Sequence, residues 1–296
     1  MKNSIASGVN LGAMQFVEFE GWRCAQISHG PLTVWITLDF GPRIIGLTYN
    51  ESPNLFYIKP STKGKVGLSE YTGYGGHRLW TAPEVPARTY EPDNDPVTIL
   101  DDWFCTAESP LGLNRALRVV PRGDNQLAIQ HRITNSSEES ITIAPWAITV
   151  MRAGGECHFS HNSEGQGGNP KLPSTPIVLW PYADMTDTRW EWRKNCTVLK
   201  QSDDPNPQKC GSFVQPGIAH YWIDGLLFTK SFGSDGGEYP DFGCNFEMYT
   251  RHDMLEVESV GPLQVLNPGE SALHEEVWSV KECTRQELEI LRSERT

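Results

Sequence analysis

The stretch FGCNFEMYTRHDMLEVESV, residues 242–260, decides the fold that we predict for this sequence. It contains two short runs in which apolar and polar residues alternate, and only a few polar residues separate the runs. Alternation with a period of two is typical of β-strands, because successive side chains point to opposite faces of a sheet. The stretch therefore predicts a β-hairpin with one apolar and one polar face.

The register of this hairpin follows from the same pattern. If both apolar sets face one core, the connecting loop holds an even number of residues. A two-residue loop at 252–253 sets Glu247 opposite Glu258. Tyr249 then lies opposite Glu256. Two opposed carboxylates repel unless they share a proton, hold a cation or face bulk water. The sequence leaves open whether this polar face is a solvated surface, holds a general base or binds a divalent ion.

Short alternating runs recur along the chain, and Gly, Pro, Asn and Asp residues separate them. Helical periodicity is rare, and the clearest helix is the C-terminal tail, where Thr284 and Glu287 form a capping-box pattern. The Gly- and Pro-rich segments 155–175 and 197–216 are predicted as long loops that shape a site. We predict an all-β protein: a large antiparallel β-sandwich with a short C-terminal helix, in which residues 1–296 form a single domain. The further runs are 31–40, 126–134, 140–151, 225–232 and 272–280.

Charge and cysteine content disfavour several classes of protein. The formal net charge of −12 argues against binding to nucleic-acid phosphates or anionic membranes. No run approaches the roughly 20 apolar residues of a membrane span, and the N-terminus lacks the apolar core of a secretory signal. The seven cysteines have no paired spacing, which favours reduced thiols and a cytoplasmic location.

The stretch GYGGHRLWTAPE, residues 73–84, brings candidate binding groups together. Its glycines lack the spacing of a dinucleotide-binding loop, and no Walker lysine follows them. A guanidinium, an aromatic ring, an imidazole and a carboxylate occur within eight residues. They belong to Arg78, Trp80, His77 and Glu84. This combination suits a polyhydroxylated ligand. A histidine in such a position is also compatible with a buried structural role.

The other candidate segments are less specific. The motif HExxH is absent, and Cys157, His158 and His161 have no second pair of ligands, so we expect neither a metal nor a cofactor. The acidic segment 89–97 lacks the glycine and the final glutamate of a calcium loop and is expected as a surface turn. The aromatic segment 179–193 is either a stacking wall or a loop packed on the edge of the sandwich.

Three segments, in their order, resemble the galactose mutarotase-like (aldose 1-epimerase) superfamily. They are FGPRIIGL at 40–47, GGHRLW at 75–80 and LEVESVGPLQVLNPGESALHEEVW at 255–278. The resemblance extends from about residue 15 to residue 280, and it is nearest to an uncharacterised bacterial branch of the superfamily. It implies a large antiparallel β-sandwich with a sugar site on one sheet.

The resemblance also implies residue roles. In the superfamily a glutamate accepts the proton of the anomeric hydroxyl and a histidine protonates the ring oxygen, without a cofactor. The resemblance places this glutamate at Glu258 and the substrate-holding arginine at Arg78. The family's histidine stands in an Asn-His-x-Tyr-Phe-Asn-Leu strand, and Trp146 occupies the corresponding position here. We therefore expect His77 to supply the acid from another strand.

These observations predict an aldose 1-epimerase-like enzyme that acts on a sugar or sugar acid, with Glu258 as base and His77 as acid. Two alternatives stay open: a non-catalytic carbohydrate-binding protein, and a lyase or hydrolase that acts on a modified, acidic sugar. The expected partner is a small-molecule carbohydrate, and a homodimer is compatible with the sequence. The expected sugar-binding residues are Arg78, Trp80, Glu84, Asn245, Glu247, Trp146 and Arg189.

Overall fold

The computed structural model describes residues 14–107, 109–162, 164, 168–234 and 236–294. Its strands are β1 (Gln15–Phe19), β2 (Trp22–His29), β3 (Leu32–Thr37), β4 (Ile44–Tyr49), β5 (Gly76–Ala82), β6 (Thr98–Leu100), β7 (Trp103–Cys105), β8 (Leu113–Arg122), β9 (Gln126–Asn135), β10 (Ile141–Arg152), β11 (Glu156–Ser160), β12 (Val178–Leu179), β13 (Trp190–Trp192), β14 (Cys196–Lys200), β15 (Gln208–Ser212), β16 (Ile218–Ile223), β17 (Leu226–Phe232), β18 (Phe246–Arg251), β19 (Met254–Val260), β20 (Gln264–Leu266) and β21 (Ser271–Glu282). The helices are α1 (Pro86–Thr89), α2 (Pro240–Gly243) and α3 (Arg285–Ser293).

Within the described residues, the strands form two antiparallel sheets. Sheet A has the order β1-β2-β3-β4-β5-β10-β19-β18-β15-β12, and β20 pairs with the start of β10. Sheet B has the order β13-β14-β11-β16-β17-β21-β9-β8-β7-β6. The predicted all-β sandwich with a short C-terminal helix is confirmed.

The main core lies between the two sheets, because alternate residues of each sheet point towards the other. Phe246 of sheet A packs on Phe159 of sheet B with ring centroids 5.6 Å apart. Val257 and Met248 of sheet A are also fully buried in this core. The inner face of sheet A is thus sealed, and its outer face, turned away from sheet B, is free to carry a site.

The hairpin of residues 242–260 has the predicted register. Glu247 pairs with Glu258, Tyr249 pairs with Glu256, and residues 252–253 form the turn. The first strand begins only at Phe246, because residues 240–243 form α2 instead.

The two predicted long loops were partly wrong. Segment 155–175 contains β11, and segment 197–216 contains most of β14 and all of β15. Each of these strands is only five residues long. β11 pairs with β14 and β16, and β15 pairs with β18, so contacts beyond the local sequence outweigh the nearby Gly and Pro. Residues 163 and 165–167 of the first segment lie outside the described part.

The predicted helix of the tail is α3, and it begins with the predicted capping box of Thr284 and Glu287. Among the described residues, no helix combines the length and the apolar character that crossing a membrane requires.

Candidate functional site

A cleft of about 560 Å³ lies on the outer face of sheet A. Five neighbouring strands, β5, β10, β19, β18 and β15, supply much of its lining, since every second residue of each strand points to this face. Loops that follow β4, β5 and β12 complete it. The lining residues are Tyr57, Lys59, Tyr71, Gly73, Gly75, Arg78, Trp80, Glu84, Tyr90, Trp146, Ile148, Val150, Trp180, Tyr182, Lys209, Tyr249, Arg251, Met254 and Glu256.

The strand register aligns the predicted residues in rows across this face. Arg78 pairs with Ile148, which pairs with Glu258, and Glu258 pairs with Glu247. In the next row Trp80 pairs with Trp146. Residues that are distant in sequence therefore share one face of the sheet.

Indole and phenol rings form the walls of the cleft. Trp80 and Trp146 meet edge to face with centroids 5.4 Å apart. Tyr71 and Tyr90 lie 5.6 Å and 5.2 Å from Trp80. Trp180 enters from the loop after β12. The cleft thus offers several aromatic surfaces at angles to one another, which suits stacking against an apolar face of a ligand.

A buried lysine lies between the two opposed carboxylates. The Nζ of Lys209 is 2.6 Å from Oε2 of Glu247 and 3.1 Å from Oε2 of Glu258. It also lies 4.8 Å and 4.6 Å from the ring centroids of Trp146 and Trp180. Burial alone lowers the pKa of Lys209, but the two carboxylates outweigh it and raise that pKa well above its ordinary value. The cation that offsets the repulsion between the opposed Glu247 and Glu258 is therefore the ammonium of Lys209.

Glu258 lies beneath the surface of the cleft. Its side chain is fully buried, and its Oε2 accepts a hydrogen bond from Nε1 of Trp146 at 2.8 Å as well as one from Lys209. Its Oε1 accepts no hydrogen bond from the described residues. Trp146 and Lys209 thus stand between Glu258 and the open cleft.

Glu247, on the neighbouring strand, is also buried. Burial raises the pKa of Glu247 to about 8, although Lys209 opposes the shift. The nearby negative charges of Glu258 and Asp241 raise the pKa of Glu247 further. At neutral pH Glu247 therefore retains a proton to a large extent.

Arg78 and Trp80 form the next part of the wall. The guanidinium carbon of Arg78 lies 4.2 Å from the ring centroid of Trp80, and its Nη2 is 3.2 Å from Oε1 of Glu256. Burial raises the pKa of Glu256, and Arg78 partly offsets this effect. Glu84 lines the cleft as predicted, and it accepts a hydrogen bond of 2.8 Å from the hydroxyl of Tyr90.

His77 does not reach the cleft, which corrects its predicted role as the acid partner of Glu258. His77 pairs with Thr149, which pairs with Val257, so it lies on the inner face of sheet A while Glu258 lies on the outer face. The alternation of β5 sends Arg78 to the cleft and His77 into the core. The structure therefore does not bring the predicted acid and base together.

His77 belongs to a buried hydrogen-bonded network. Nδ1 of His131 lies 3.1 Å from the carbonyl oxygen of His274, so this nitrogen donates and Nε2 of His131 accepts. His77 then donates from Nε2 over 2.7 Å, and its Nδ1 accepts from the Thr149 hydroxyl at 2.8 Å. Both rings are neutral in this arrangement, and burial lowers the pKa of His131 to about 4.

The same network contains a possible metal-ligand set. Single ligand atoms of His77, His131 and Glu276 lie within 4.8 Å of one another. However, Lys230 lies 2.8 Å from Oε1 of Glu276, and Nε1 of Trp278 donates to its Oε2 at 2.7 Å. The lysine already supplies the positive charge, and the carboxylate oxygens are already bonded. The arrangement is thus explained as a structural network without a metal.

Two other predicted sugar ligands are structural. Asn245 is fully buried, and its amide bonds the backbone N–H and carbonyl of Val214 at 2.7 Å and 2.9 Å. Arg189 is buried in a two-bond ion pair with Asp187 and donates to the carbonyl oxygen of Asn206 at 2.7 Å. Neither side chain lines the cleft.

The acidic segment 89–97, predicted as a surface turn, anchors buried arginines instead. Asp93 accepts two hydrogen bonds from the fully buried Arg43, at 2.8 Å and 3.0 Å. Glu91 pairs with Arg115 at 3.0 Å. This segment therefore contributes to packing.

Sequence reasoning missed Lys209, whose strand was predicted as a loop. Of the aromatic segment 179–193, Trp180 and Tyr182 line the cleft, whereas Trp190 and Trp192 stack on each other outside it. The lining by Tyr249 and Glu256 follows from the hairpin alternation that predicted Glu258.

No family model and no curated protein matches this sequence. Among solved structures, it is similar to a proposed aldose 1-epimerase from Escherichia coli K12, with a TM-score of 0.53 and 12% identity over 88% of this chain and 99% of that one. It is similar to a proposed mutarotase from Salmonella typhimurium, with a TM-score of 0.55 and 8% identity over 91% and 94% of the two chains. It is also similar to a galactose mutarotase-like protein from Lactobacillus casei, with a TM-score of 0.54 and 10% identity over 87% and 100%.

At such identities the likeness concerns the fold. The two antiparallel sheets, the short C-terminal helix and the order of the sequence motifs agree with it. The chain therefore has the galactose mutarotase-like fold.

Proposed function

We propose that the cleft on sheet A binds a small carbohydrate. The observation that carries this proposal is the gathering of Trp80, Trp146 and Trp180 with charged side chains in one cleft. A sugar presents flat C–H faces and a ring of hydroxyls, and aromatic faces beside polar groups can bind both. The volume of about 560 Å³ falls within the about 300–1,000 Å³ typical of small-molecule sites.

Two further observations support this ligand class. Solved structures with this fold include proteins named as mutarotases or aldose 1-epimerases. Each main cation of the cleft has a carboxylate partner: Arg78 pairs with Glu256, and Lys209 pairs with Glu247 and Glu258. Paired charges of this kind offer both donors and acceptors to hydroxyl groups. We keep the cytoplasm as the proposed location because the scattered cysteines favour reduced thiols.

Anomer interconversion is the second candidate function, and the Glu247–Lys209–Glu258 arrangement favours it. Oε1 of Glu258 accepts no hydrogen bond from the described residues, and Glu247, with its pKa raised to about 8, can hold a proton near neutral pH. A sugar would reach Glu258 only after Trp146 or Lys209 moved aside, because both cover it. Binding is therefore the first proposal, and epimerase chemistry is the second.

Binding can be measured by calorimetry with D-galactose, D-glucose and D-glucuronate. We expect at least one of these to bind, and we expect Trp80→Ala to weaken that binding roughly tenfold, the equivalent of about 1.4 kcal/mol. Trp192→Ala is the matched control, because Trp192 stacks on Trp190 outside the cleft and its loss should leave affinity unchanged. Wild-type protein that binds none of the three sugars would contradict the proposal.

Polarimetry of freshly dissolved α-anomers separates binding from catalysis. Under the second candidate function, wild-type protein accelerates the approach to anomeric equilibrium, and Glu258→Gln abolishes the acceleration while the thermal unfolding midpoint stays close to that of wild type. Sugar binding without any acceleration would assign the protein to the non-catalytic carbohydrate binders.

A further inference from the structure

Lys209 occupies a distinctive place in the cleft. Glu247 and Glu258 are buried behind it, and of these three side chains Lys209 alone lines the cleft. Its ammonium is fixed from four sides, by the two carboxylates at 2.6 Å and 3.1 Å and by the rings of Trp146 and Trp180 at 4.8 Å and 4.6 Å. Such a position holds the nitrogen without freedom to turn away from the cleft.

We propose that the Lys209 ammonium is the polar group that contacts the sugar at the floor of the cleft, by donating a hydrogen bond to one sugar oxygen. The inference rests on the proposed carbohydrate function and names the residue that recognises the sugar at the floor of the cleft. An ammonium has three N–H donors and no acceptor. Glu258 accepts one of these hydrogen bonds, and Glu247 is an ion-pair neighbour at 2.6 Å. A donor therefore remains available to a ligand seated between Trp146 and Trp180.

The chemistry of this donor defines what it recognises. Because Lys209 can only donate, its partner must be an oxygen lone pair, from the ring oxygen, a hydroxyl or a carboxylate of the sugar. This gives Lys209 the place in the cleft that sequence analysis assigned to His77, which lies on the inner face of the sheet. Contacts with Glu247 and Glu258 at 2.6 Å and 3.1 Å hold Lys209 as an ammonium, so it stabilises charge on the sugar oxygen and does not attack a carbonyl as a free amine.

The indole faces explain why a lysine can hold this position. A cation over an aromatic face is stabilised electrostatically, and the effect grows when water is excluded. Lys209 is 6% exposed. A sugar stacked on Trp146 would complete the exclusion of water around the ammonium and strengthen its hydrogen bond.

The test compares Lys209→Met with wild type by calorimetry, using D-galactose, D-glucose and D-glucuronate. Hydrogen bonds to charged groups contribute about 1.5–3 kcal/mol, so we expect affinity to fall roughly 10- to 100-fold. Deoxy analogues lack single hydroxyl oxygens, and the carbocyclic analogue lacks the ring oxygen. The analogue that lacks the contacted oxygen should bind wild type and Lys209→Met with equal affinity. Lys281→Met, which removes a lysine of sheet B that does not line the cleft, should change affinity less than threefold.

Lys209→Met leaves the buried Glu247 and Glu258 without their cation and could unfold the protein. Lys209→Met/Glu258→Gln removes one positive and one negative charge together and provides a second test with folding checked by circular dichroism. Glu258→Gln alone keeps the ammonium and serves as the reference for this double variant. If Lys209→Met/Glu258→Gln binds the sugar as well as Glu258→Gln does, Lys209 is not the contact, although the proposed function stands. If wild type binds no sugar, both proposals fall.

Discussion

Gly211 shows how one residue shapes the floor of the cleft. It lies directly opposite Glu247 in the strand pair β15–β18, and a Cβ at this position would lie 2.6 Å from Sγ of Cys244 and 3.3 Å from Cγ of Glu247. Because both neighbours are buried, we expect Gly211→Ala to lower the free energy of unfolding by about 1–3 kcal/mol. Chemical denaturation followed by tryptophan fluorescence measures this loss.

Two variants separate overpacking from the loss of a flexible glycine. Gly233 has open space around its Cβ direction and no positive φ, so Gly233→Ala should leave the free energy of unfolding within about 0.5 kcal/mol of wild type. In Gly211→Ala/Cys244→Ala, removal of the sulfur relieves the closest clash, and part of the stability should return. Equal destabilisation by both glycine variants would contradict the packing argument.

At the level of residues, the sequence identified part of the site and misplaced the rest. Arg78 and Trp80 could be predicted because a guanidinium and an aromatic ring two residues apart in a strand point to the same face. The same alternation carried the signal that excludes His77, which directly precedes Arg78 in the strand and must point to the other face. Lys209 could not be predicted, since its role depends on its distance to side chains that are far away in sequence.

At the level of elements, alternation was the strongest signal. It gave the hairpin β18–β19 with its two-residue turn and its opposed carboxylates, because a change of one residue in the register would expose the apolar face. It failed for β11 and β15, which are short and flanked by Gly and Pro. These strands are stabilised by their neighbours, so local pattern alone cannot reveal them.

Helix α3 provides a prediction at this scale. The side chain of Thr284 accepts a hydrogen bond from the backbone N–H of Glu287, and the carboxylate of Glu287 accepts one from the backbone N–H of Thr284. Thr284→Ala removes half of this capping box, so we expect a loss of about 1 kcal/mol in the free energy of unfolding. Thermal and chemical denaturation measure it.

The matched control for the cap is Thr284→Ser, which keeps the hydroxyl and should behave like wild type. Leu288 is buried beneath the helix and Arg292 pairs with Glu156, so α3 should remain docked in the alanine variant. Equal stability of Thr284→Ala and wild type would show that these docking contacts, and not the cap, hold the first turn.

For the whole molecule, the order of motifs predicted the fold, but the arrangement of the strands gave the site. Strand β10 lies between β5 and β19, although all three are distant in sequence. This insertion places Trp146 beside Glu258 and makes the indole its hydrogen-bond donor. A pattern within single strands shows which residues share a face but not which strand becomes the neighbour, so this contact could not be derived from the sequence.

The pH dependence of stability is a property of the whole molecule. Burial lowers the pKa of His131 to about 4 and of His274 to about 3, and it also lowers the pKa of His77 well below its ordinary value. Unfolded histidines titrate near about 6.5, so below this pH the unfolded chain binds more protons than the folded one. Stability should therefore fall as the pH drops from about 6.5 towards 4, by about 1.4 kcal/mol per pH unit for each histidine.

Glu247 gives the opposite slope at higher pH. Its pKa is raised to about 8 in the folded protein, so between about 4.3 and 8 the folded state holds a proton that the unfolded state has lost. This contribution falls as the pH rises through that range. Below pH 6.5 the rise of stability with pH from the three histidines exceeds the fall from Glu247. Above pH 6.5 these histidines no longer contribute a slope, and the fall from Glu247 remains. Denaturation from pH 4 to pH 9 should therefore give a maximum of stability near pH 6.5. Glu247→Gln should flatten the limb between about pH 6.5 and 8 and steepen the rise from about pH 4.3 to 6.5. If stability instead rises steadily from pH 6.5 to pH 8, or if Glu247→Gln leaves both limbs unchanged, the protonated state assigned to Glu247 at the floor of the cleft is wrong.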